Sequence, residues 1–530
     1  MQPIKGSFNR SQPLDLAGLK LLVIILLVLG TIFRFVNLEQ KAYWFDETST
    51  SIQLSGYTDA EAVSHIGTGQ VIGIQDLEKY QYPSPEKTAW DTINGLAIKE
   101  PQLTPLYFVM ARFWVDFWGN SVAVTRSFSA VMSVLALPCV YWLCLELFQS
   151  SLVGCMAIAL LAVSPFHLLY AQEARPYSLW IVTILISHIA LLRAMRLKTN
   201  LSWGIYAATV SLGLYTFLFS VFVTVGHGIY VLIVERYRWS RQVVSYSISS
   251  LIGVITFLPW VIFALPNVKR IDERVPFLNL VKAWVRNLGL FFIDLNLNDQ
   301  SPRIYFIAFL LTLLALIGLV GYAIYFFWHH SSSQARLFVL IALILPQLAL
   351  IVPDLILGGG RSTSPRYLIP SYLALQLVVS YLLTKQIFST TSEIRQQKIG
   401  KIILAVLLSI GLLSDWQISH SDTWWTKAGN NFDHCIARSI NQSNQAVLVS
   451  DSYFVNILTL SHLLDEKVKF QLSSDSNQLL VPPEFDNIFL YSPSENLKNL
   501  VGKTNKLNPI DDCGSPISPS SRPSVLQLSR

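Results

Sequence analysis

Ile304–Trp328 reads IYFIAFLLTLLALIGLVGYAIYFFW, an apolar run with no charged side chain. A helix of about 20 apolar residues is what a hydrocarbon core of roughly 30 Å asks of a spanning segment, so this stretch by itself marks a membrane protein. Tyr367–Leu383 is a second block of the same kind. The rest of the chain agrees: 52% of its residues are hydrophobic and only 14% charged, against about 25% charged in a soluble domain. Such a chain has too little polar surface to cover itself in water.

Working outward from these blocks, the hydropathy pattern predicts spans at Ala17–Val36, Arg126–Phe148, Leu152–Ala171, Pro176–Leu192, Leu201–Phe219, Val221–Val234, Val243–Leu265, Arg303–Trp328, Leu337–Val352, Tyr367–Leu383 and Lys401–Leu413. No small-residue cleavage site follows the first, which is therefore a retained helix rather than a signal. The stretch Pro105–Gly119 (PLYFVMARFWVDFWG) is a candidate twelfth span, but Arg112 and Asp116 interrupt it. Counting it would also carry later basic loops outside, so it reads as a helix in the outer interface, where Trp and Tyr are favoured. The expected fold is an α-helical polytopic membrane protein of about 11–12 transmembrane helices with a small extracytoplasmic α/β lobe at the C-terminus.

Basic residues concentrate in short cytoplasmic loops. With the N-terminus inside, the inner loops carry Arg193, Arg196 and Lys198, then Arg236, Arg238 and Arg241, then Arg336, then Lys385, Arg395 and Lys398. That register puts Asn37 to about Thr125, Asn267–Pro302 and everything after Ser414 outside. The expected division is a membrane domain over 1–415, including the first outer loop 37–125, and an outer domain over 416–530. In the latter, Ala446–Ser450 and Asn487–Tyr491 read as strands and Tyr453–Leu464 as a helix. Cys139, Cys144 and Cys155 fall in or beside spans, whereas Cys435 and Cys513 share the outer tail, where they can form one disulfide. The formal charge of +6 suits attraction to anionic membrane lipids and needs no nucleic-acid partner.

The strongest local signal is Tyr43-Trp44-Phe45-Asp46-Glu47, just after the first span. Two adjacent carboxylates there have three readings: one serves as a general base, the pair holds a divalent cation, or Asp46 merely caps the next helix. Two further outer sites supply positive charge, Gln172-Glu173-Ala174-Arg175-Pro176-Tyr177 and Gly358-Gly359-Gly360-Arg361-Ser362-Thr363-Ser364-Pro365-Arg366-Tyr367. Arginine takes phosphate through forked, charge-assisted hydrogen bonds. The competing reading is that these arginines pair locally or snorkel to the interface. His167, His188 and His227 have no metal-ligand spacing and read as packing or helix–helix hydrogen bonds. No Gly-x-Gly-x-x-Gly or Walker loop occurs, so neither a dinucleotide nor ATP is implied.

In this order, Arg34, Trp44-Phe45-Asp46-Glu47, Thr104-Pro105-Leu106-Tyr107, Phe117-Trp118-Gly119 with Arg126, Ser164-Pro165, Glu173-Ala174-Arg175-Pro176-Tyr177 and Arg366-Tyr367-Leu368-Ile369-Pro370 resemble the GT-C superfamily. Within it they resemble glycosyltransferase family 39, which includes protein O-mannosyltransferases and the aminoarabinose transferase of lipid A. The resemblance covers roughly the first 200 residues by motif and the rest by topology. It implies an inverting glycosyltransferase that moves a hexose or pentose from a polyprenyl-phosphate carrier to a hydroxyl of a lipid, glycan or protein, on the outer face of the plasma (inner) membrane. Asp46 matches the catalytic acidic position, with Glu47 beside it. Arg175, Tyr177, Arg361, Arg366, Tyr367 and Tyr107 are the implied substrate-binding residues. Where many relatives carry His-Pro-Pro or Glu-x-Pro-Pro, this chain has Gln102-Leu103-Thr104-Pro105, so a metal ligand proposed for some relatives is not evident. The alternative function is a transporter or flippase of lipid-linked sugars. Such pathways place ionisable groups near the bilayer midplane, whereas the conspicuous ones here sit at outer ends of spans.

Overall fold

The computed structural model describes residues 13–268, 274–295, 303–389, 392–427, 429–479, 484–503, 505–510 and 525–529. The chain divides into two compact units. One, here the membrane unit, comprises residues 1–36, 102–104 and 129–419; the other, called the outer unit after the side its loops are expected to face, comprises 37–101, 105–128 and 420–530.

Among the described residues, eight helices are long and apolar enough to cross a membrane, from Ala17–Phe35 and Val122–Phe148 to Pro365–Phe388 and Ile394–His420. Each of the predicted spans falls on a helix, but three of them fall short of that standard. Leu152–Ala171 is a bent pair, Ser151–Ala162 and Pro165–Ala171, meeting at 61°. The break lies at Ser164-Pro165: proline pushes the residue before it out of helical geometry, and Ser164 is extended at φ −83°, ψ 118°. The other two, Asn200–Thr216 and Ser220–Val234, are only 17 and 15 residues long. Burial sorts the helices. Pro365–Phe388 is 94% and Tyr177–Leu197 78% buried over their apolar windows, whereas Ile307–His330 is 17% buried. The first two form the centre of the unit, and the last exposes Leu310, Leu311 and Leu314, as a lipid-facing helix should.

The outer unit is built on a six-stranded sheet in the order β1-β3-β2-β4-β6-β5, with β1 at Thr68–Ile72, β2 at Ala446–Ser450, β3 at Lys469–Ser473, β4 at Asn487–Tyr491, β5 at Lys506–Pro509 and β6 at Val525–Ser529. β2 lies parallel to β3 and β4, while β1 and β6 add antiparallel. Side chains alternate along a strand. Leu448, Phe470 and Phe489 accordingly enter one apolar cluster and Val447, Ile488 and Leu490 the other. The helix Phe454–Ser461 packs into the first cluster.

β2 and β4 fall where the strand-like apolar runs predict them. The division at 415 does not hold, because β1 comes from the first outer loop and pairs through Ile72 with Phe470 and through Val71 with Gln471. That loop is therefore part of the outer unit rather than of the membrane domain. A hydrogen-bond ladder between segments some 400 residues apart leaves no local mark in either. Pro105–Trp118 is a 14-residue helix of the same unit, too short to span. It buries Tyr107, Phe108, Ala111 and Arg112 and exposes Phe113, Phe117 and Trp118. Cys435 is disulfide-bonded and the three other described cysteines are free; Cys513 lies outside the described residues.

Candidate active site

Asp46 is the second residue of the helix Phe45–Ser55. The residue at the cap is Trp44, extended at φ −89° and ψ 172° with no side-chain cap bond, so Asp46 is not the cap. Its side chain is partly exposed. Glu47, next in sequence, is fully buried. Arg126 grips it with a fork, Nε donating to Oε1 at 2.8 Å and Nη2 to Oε2 at 2.7 Å. Lys427 Nζ donates to Oε2 at 3.0 Å. The guanidinium is itself fixed by the carbonyl oxygens of Leu38, Lys41 and Ala42 and stands 5.3 Å from the Tyr43 ring centroid. Buried charges persist only when paired and hydrogen-bonded, and this trio meets that condition. With both Glu47 oxygens engaged by cations, the Asp46–Glu47 pair does not fit a shared divalent ion. Among the described residues, no group of three or more His, Cys, Asp or Glu is placed to hold a metal.

Two more contacts from the C-terminal segment set the helix in place. Asn430 Oδ1 accepts from Phe45 N at 3.2 Å, and Thr48 and Thr459 hydroxyls meet at 3.2 Å. Asn430 is in turn oriented by Asp433, whose Oδ2 accepts from Asn430 Nδ2 at 2.8 Å. Burial pushes the Asp433 carboxyl up to about 7, the Asn430 bond opposing it. Nothing local in the sequence marks Lys427, Asn430 or Asp433 as partners of a helix that begins at Phe45.

In the membrane unit, the two arginine-bearing turns meet. The Arg366 guanidinium lies 5.7 Å from the Tyr177 ring centroid and 5.5 Å from that of Tyr367, within cation–π range. Arg175 is buried in the turn before Tyr177–Leu197, its carbonyl accepting from Ser129 Oγ at 3.2 Å. Arg361 is exposed, on the short helix Arg361–Thr363. The glycine turn before it is held by Asp354, whose Oδ2 accepts from Ser362 N at 2.7 Å. A side chain at Gly359 would meet Asp354 Oδ1 at 2.9 Å, and its φ of +124° also demands glycine. Trp284 and Asn287, on the helix Phe277–Leu290 of the second outer loop, donate to Ser362 Oγ and Thr363 O. Nothing local in the sequence marks this brace. Tyr107 is fully buried against Phe108 and Phe128 in the outer unit.

The histidines follow the bland expectation. His188 and His227 share a hydrogen bond of 2.7 Å and His227 meets Tyr206 Oη at 3.0 Å, linking three helices, while His167 packs on Phe166 and Phe291.

The dolichyl-phosphate-mannose-protein mannosyltransferase family matches residues 99–263. The structure of ArnT from Cupriavidus metallidurans bound to undecaprenyl phosphate is similar at a TM-score of 0.54, with 12% identity over 96% of this chain and 98% of that one. The same protein in its apo state gives a TM-score of 0.53, with 11% identity over 97% and 98% of the two chains. No curated protein matches the sequence. This chain therefore shares the fold of ArnT along almost the whole of both chains, and the stretch that matches the mannosyltransferase family lies inside that fold.

Proposed function

We propose that the protein is an inverting glycosyltransferase that moves a sugar from a polyprenyl-phosphate carrier to a hydroxyl of a lipid, glycan or protein acceptor at the outer face of the plasma (inner) membrane. The observation that carries this reading is the division of labour at Asp46 and Glu47. Glu47 is locked between Arg126 and Lys427, which makes it a positioning residue, while Asp46 on the same helical turn is left partly exposed. As base, Asp46 takes the acceptor O–H proton while that oxygen bonds to the anomeric carbon. The bond from that carbon to the phosphate oxygen breaks, and its electron pair leaves with the lipid phosphate. A single displacement inverts the centre and needs no covalent sugar–enzyme stage. Arg175 and Arg366 are the groups suited to the departing phosphate, since forked donors stabilise charge that develops on it. Undecaprenyl phosphate, bound by ArnT, supports a carrier of that class here.

Transfer of labelled sugar from a purified polyprenyl-phosphate donor, with wild type and Asp46→Asn reconstituted side by side, tests the reading. Removing a general base costs about 100- to 10,000-fold in turnover, with donor binding little changed. Near-wild-type turnover in Asp46→Asn removes Asp46 from the mechanism, and donor carried across the bilayer without sugar transfer makes the protein a flippase.

A further inference from the structure

The outer unit contains a cavity of about 300 Å³ that the chemistry above leaves unused. Its walls come from residues 39–43, immediately ahead of the Asp46 helix, from 74–82, from 120–122 and from 461–466. That volume is at the low end of the roughly 300–1,000 Å³ typical of small-ligand sites. It suits a single ring or two better than a lipid chain.

Unmet hydrogen bonds line it. Gln81 is 1% exposed; its Nε2 donates to Ser461 Oγ at 3.1 Å, but its Oε1 has no partner among the described residues. His462 Nε2 has none either, and its ring stands edge-on to Tyr43 with centroids 4.5 Å apart. Burial, reinforced by Arg126, brings His462 down to about 4, so at neutral pH the ring is uncharged. Burial, helped by Glu78 and Glu39, pushes the Tyr82 phenol up to about 12, so it stays an O–H group. A buried acceptor without a partner costs about 1–3 kcal/mol, and such groups in native structures call for an occupant.

The charge on the walls says what occupant fits. Glu39, Glu78 and Glu466 face one ammonium, Lys41, an excess of carboxylate that disfavours phosphate. Neutral donors and acceptors set among the aromatic rings of Tyr43 and Tyr82 suit a molecule with hydroxyls at its rim and C–H faces above and below. We propose that this cavity binds an uncharged sugar ring, and that the ring belongs to the acceptor. The acceptor role rests on the transferase reading; the sugar binding does not.

The test uses the full-length protein in a detergent without a sugar headgroup. Saturation-transfer NMR is recorded with the methyl glycosides of glucose, galactose, mannose and N-acetylglucosamine. At least one should give a signal with wild type. Asn120→Trp, which places a bulky ring in the mouth from an exposed position, should abolish it, and Gln81→Leu should weaken binding about tenfold. Inorganic phosphate should not compete. No signal from any glycoside with wild type, an equal signal with Asn120→Trp, or displacement by phosphate each overturns the proposal. Because Gln81 is buried, the Asn120→Trp arm decides if Gln81→Leu fails to fold. Sugar release from the purified lipid donor is measured in parallel. If it is absent while the glycosides bind, the transferase reading fails and the site stands; if it is intact while none binds, only the site fails.

Discussion

At the scale of single residues, the adjacent carboxylates Asp46 and Glu47 look alike in sequence and differ wholly in surroundings. Asp46 could be singled out because its aromatic neighbours and its place after a span are local facts. Glu47 could not be separated from it, because Arg126 lies 79 residues away and Lys427 380 away. Removing one member of a buried ion cluster costs about 3–5 kcal/mol because it strands the rest. Glu47→Gln should therefore lower the thermal unfolding temperature, and adding Lys427→Met to it should recover part of the loss; single and double variants of equal stability would mean that the trio does not act as a unit. Asp433 makes a different prediction. Its carboxyl ionises at about 7 when folded and about 3.9 when unfolded. The folded state thus holds a proton that the unfolded state has lost, and stability falls as pH rises from about 4 to about 7, then levels off. Asp433→Asn cannot ionise, so over that window its unfolding temperature should depend less on pH, with the gain over wild type largest at and above neutrality. Parallel pH profiles would show that Asp433 titrates normally.

At the scale of elements, strands and helices with their own periodicity were readable and their partners were not. β2 and β4 are present at the predicted residues because each is a short, nearly continuous apolar run, as a strand buried on both faces should be. β1 is a short, mostly exposed segment that becomes a strand only by pairing with β3, so its pattern carries little signal. Pro105–Trp118 shows the converse. Its apolar composition suggests a span, but Arg112 donates to the carbonyls of Leu54, Ser84 and Lys87, which ties it to the outer unit and leaves an aromatic face exposed. The turns at 173–177 and 358–367 were each recognisable by arginine content, while their meeting through Arg366 and Tyr177 required the fold. That stacking sharpens the phosphate prediction. A lost charge-assisted bond is worth roughly 1.5–3 kcal/mol, so Arg366→Ala should reduce kcat/KM for the lipid donor by about 10- to 150-fold. Arg366→Lys should restore only part, since a point charge replaces neither the fork nor the flat face against two tyrosines. Unchanged donor kinetics in both, at normal expression, would leave Arg366 a packing residue.

At the scale of the whole molecule, the remaining question is how many of the helices cross, and the ion pairs of the membrane unit bear on it. Glu146, near the end of Val122–Phe148, bonds both Arg193 and Arg196, near the end of Tyr177–Leu197, at 3.3 and 2.8 Å. These two helix ends are therefore level. Since Tyr177–Leu197 is a full span, its start lies at the opposite face, and the bent pair between them must cross rather than return. The next two helices, of 17 and 15 residues, reach only about 26 and 22 Å at 1.5 Å per residue, short of a core of roughly 30 Å. If both cross, or neither does, Arg236, Arg238 and Arg241 share a face with Arg193 and Arg196, as the clustering of basic residues in cytoplasmic loops requires. If only one crosses, every later loop is inverted. The predicted arrangement has both crossing. Single cysteines introduced at positions 219, 238, 361 and 451 of a cysteine-free variant should then react with a membrane-impermeant maleimide from outside at 219, 361 and 451 and not at 238. Protection at 219 as well as at 238, with 361 and 451 still labelled, would show that neither short helix crosses. Labelling at 238 with protection at 361 would show that one of them does, and would move Arg361 and Arg366 to the cytoplasmic face, where an outer-face transferase has no use for them.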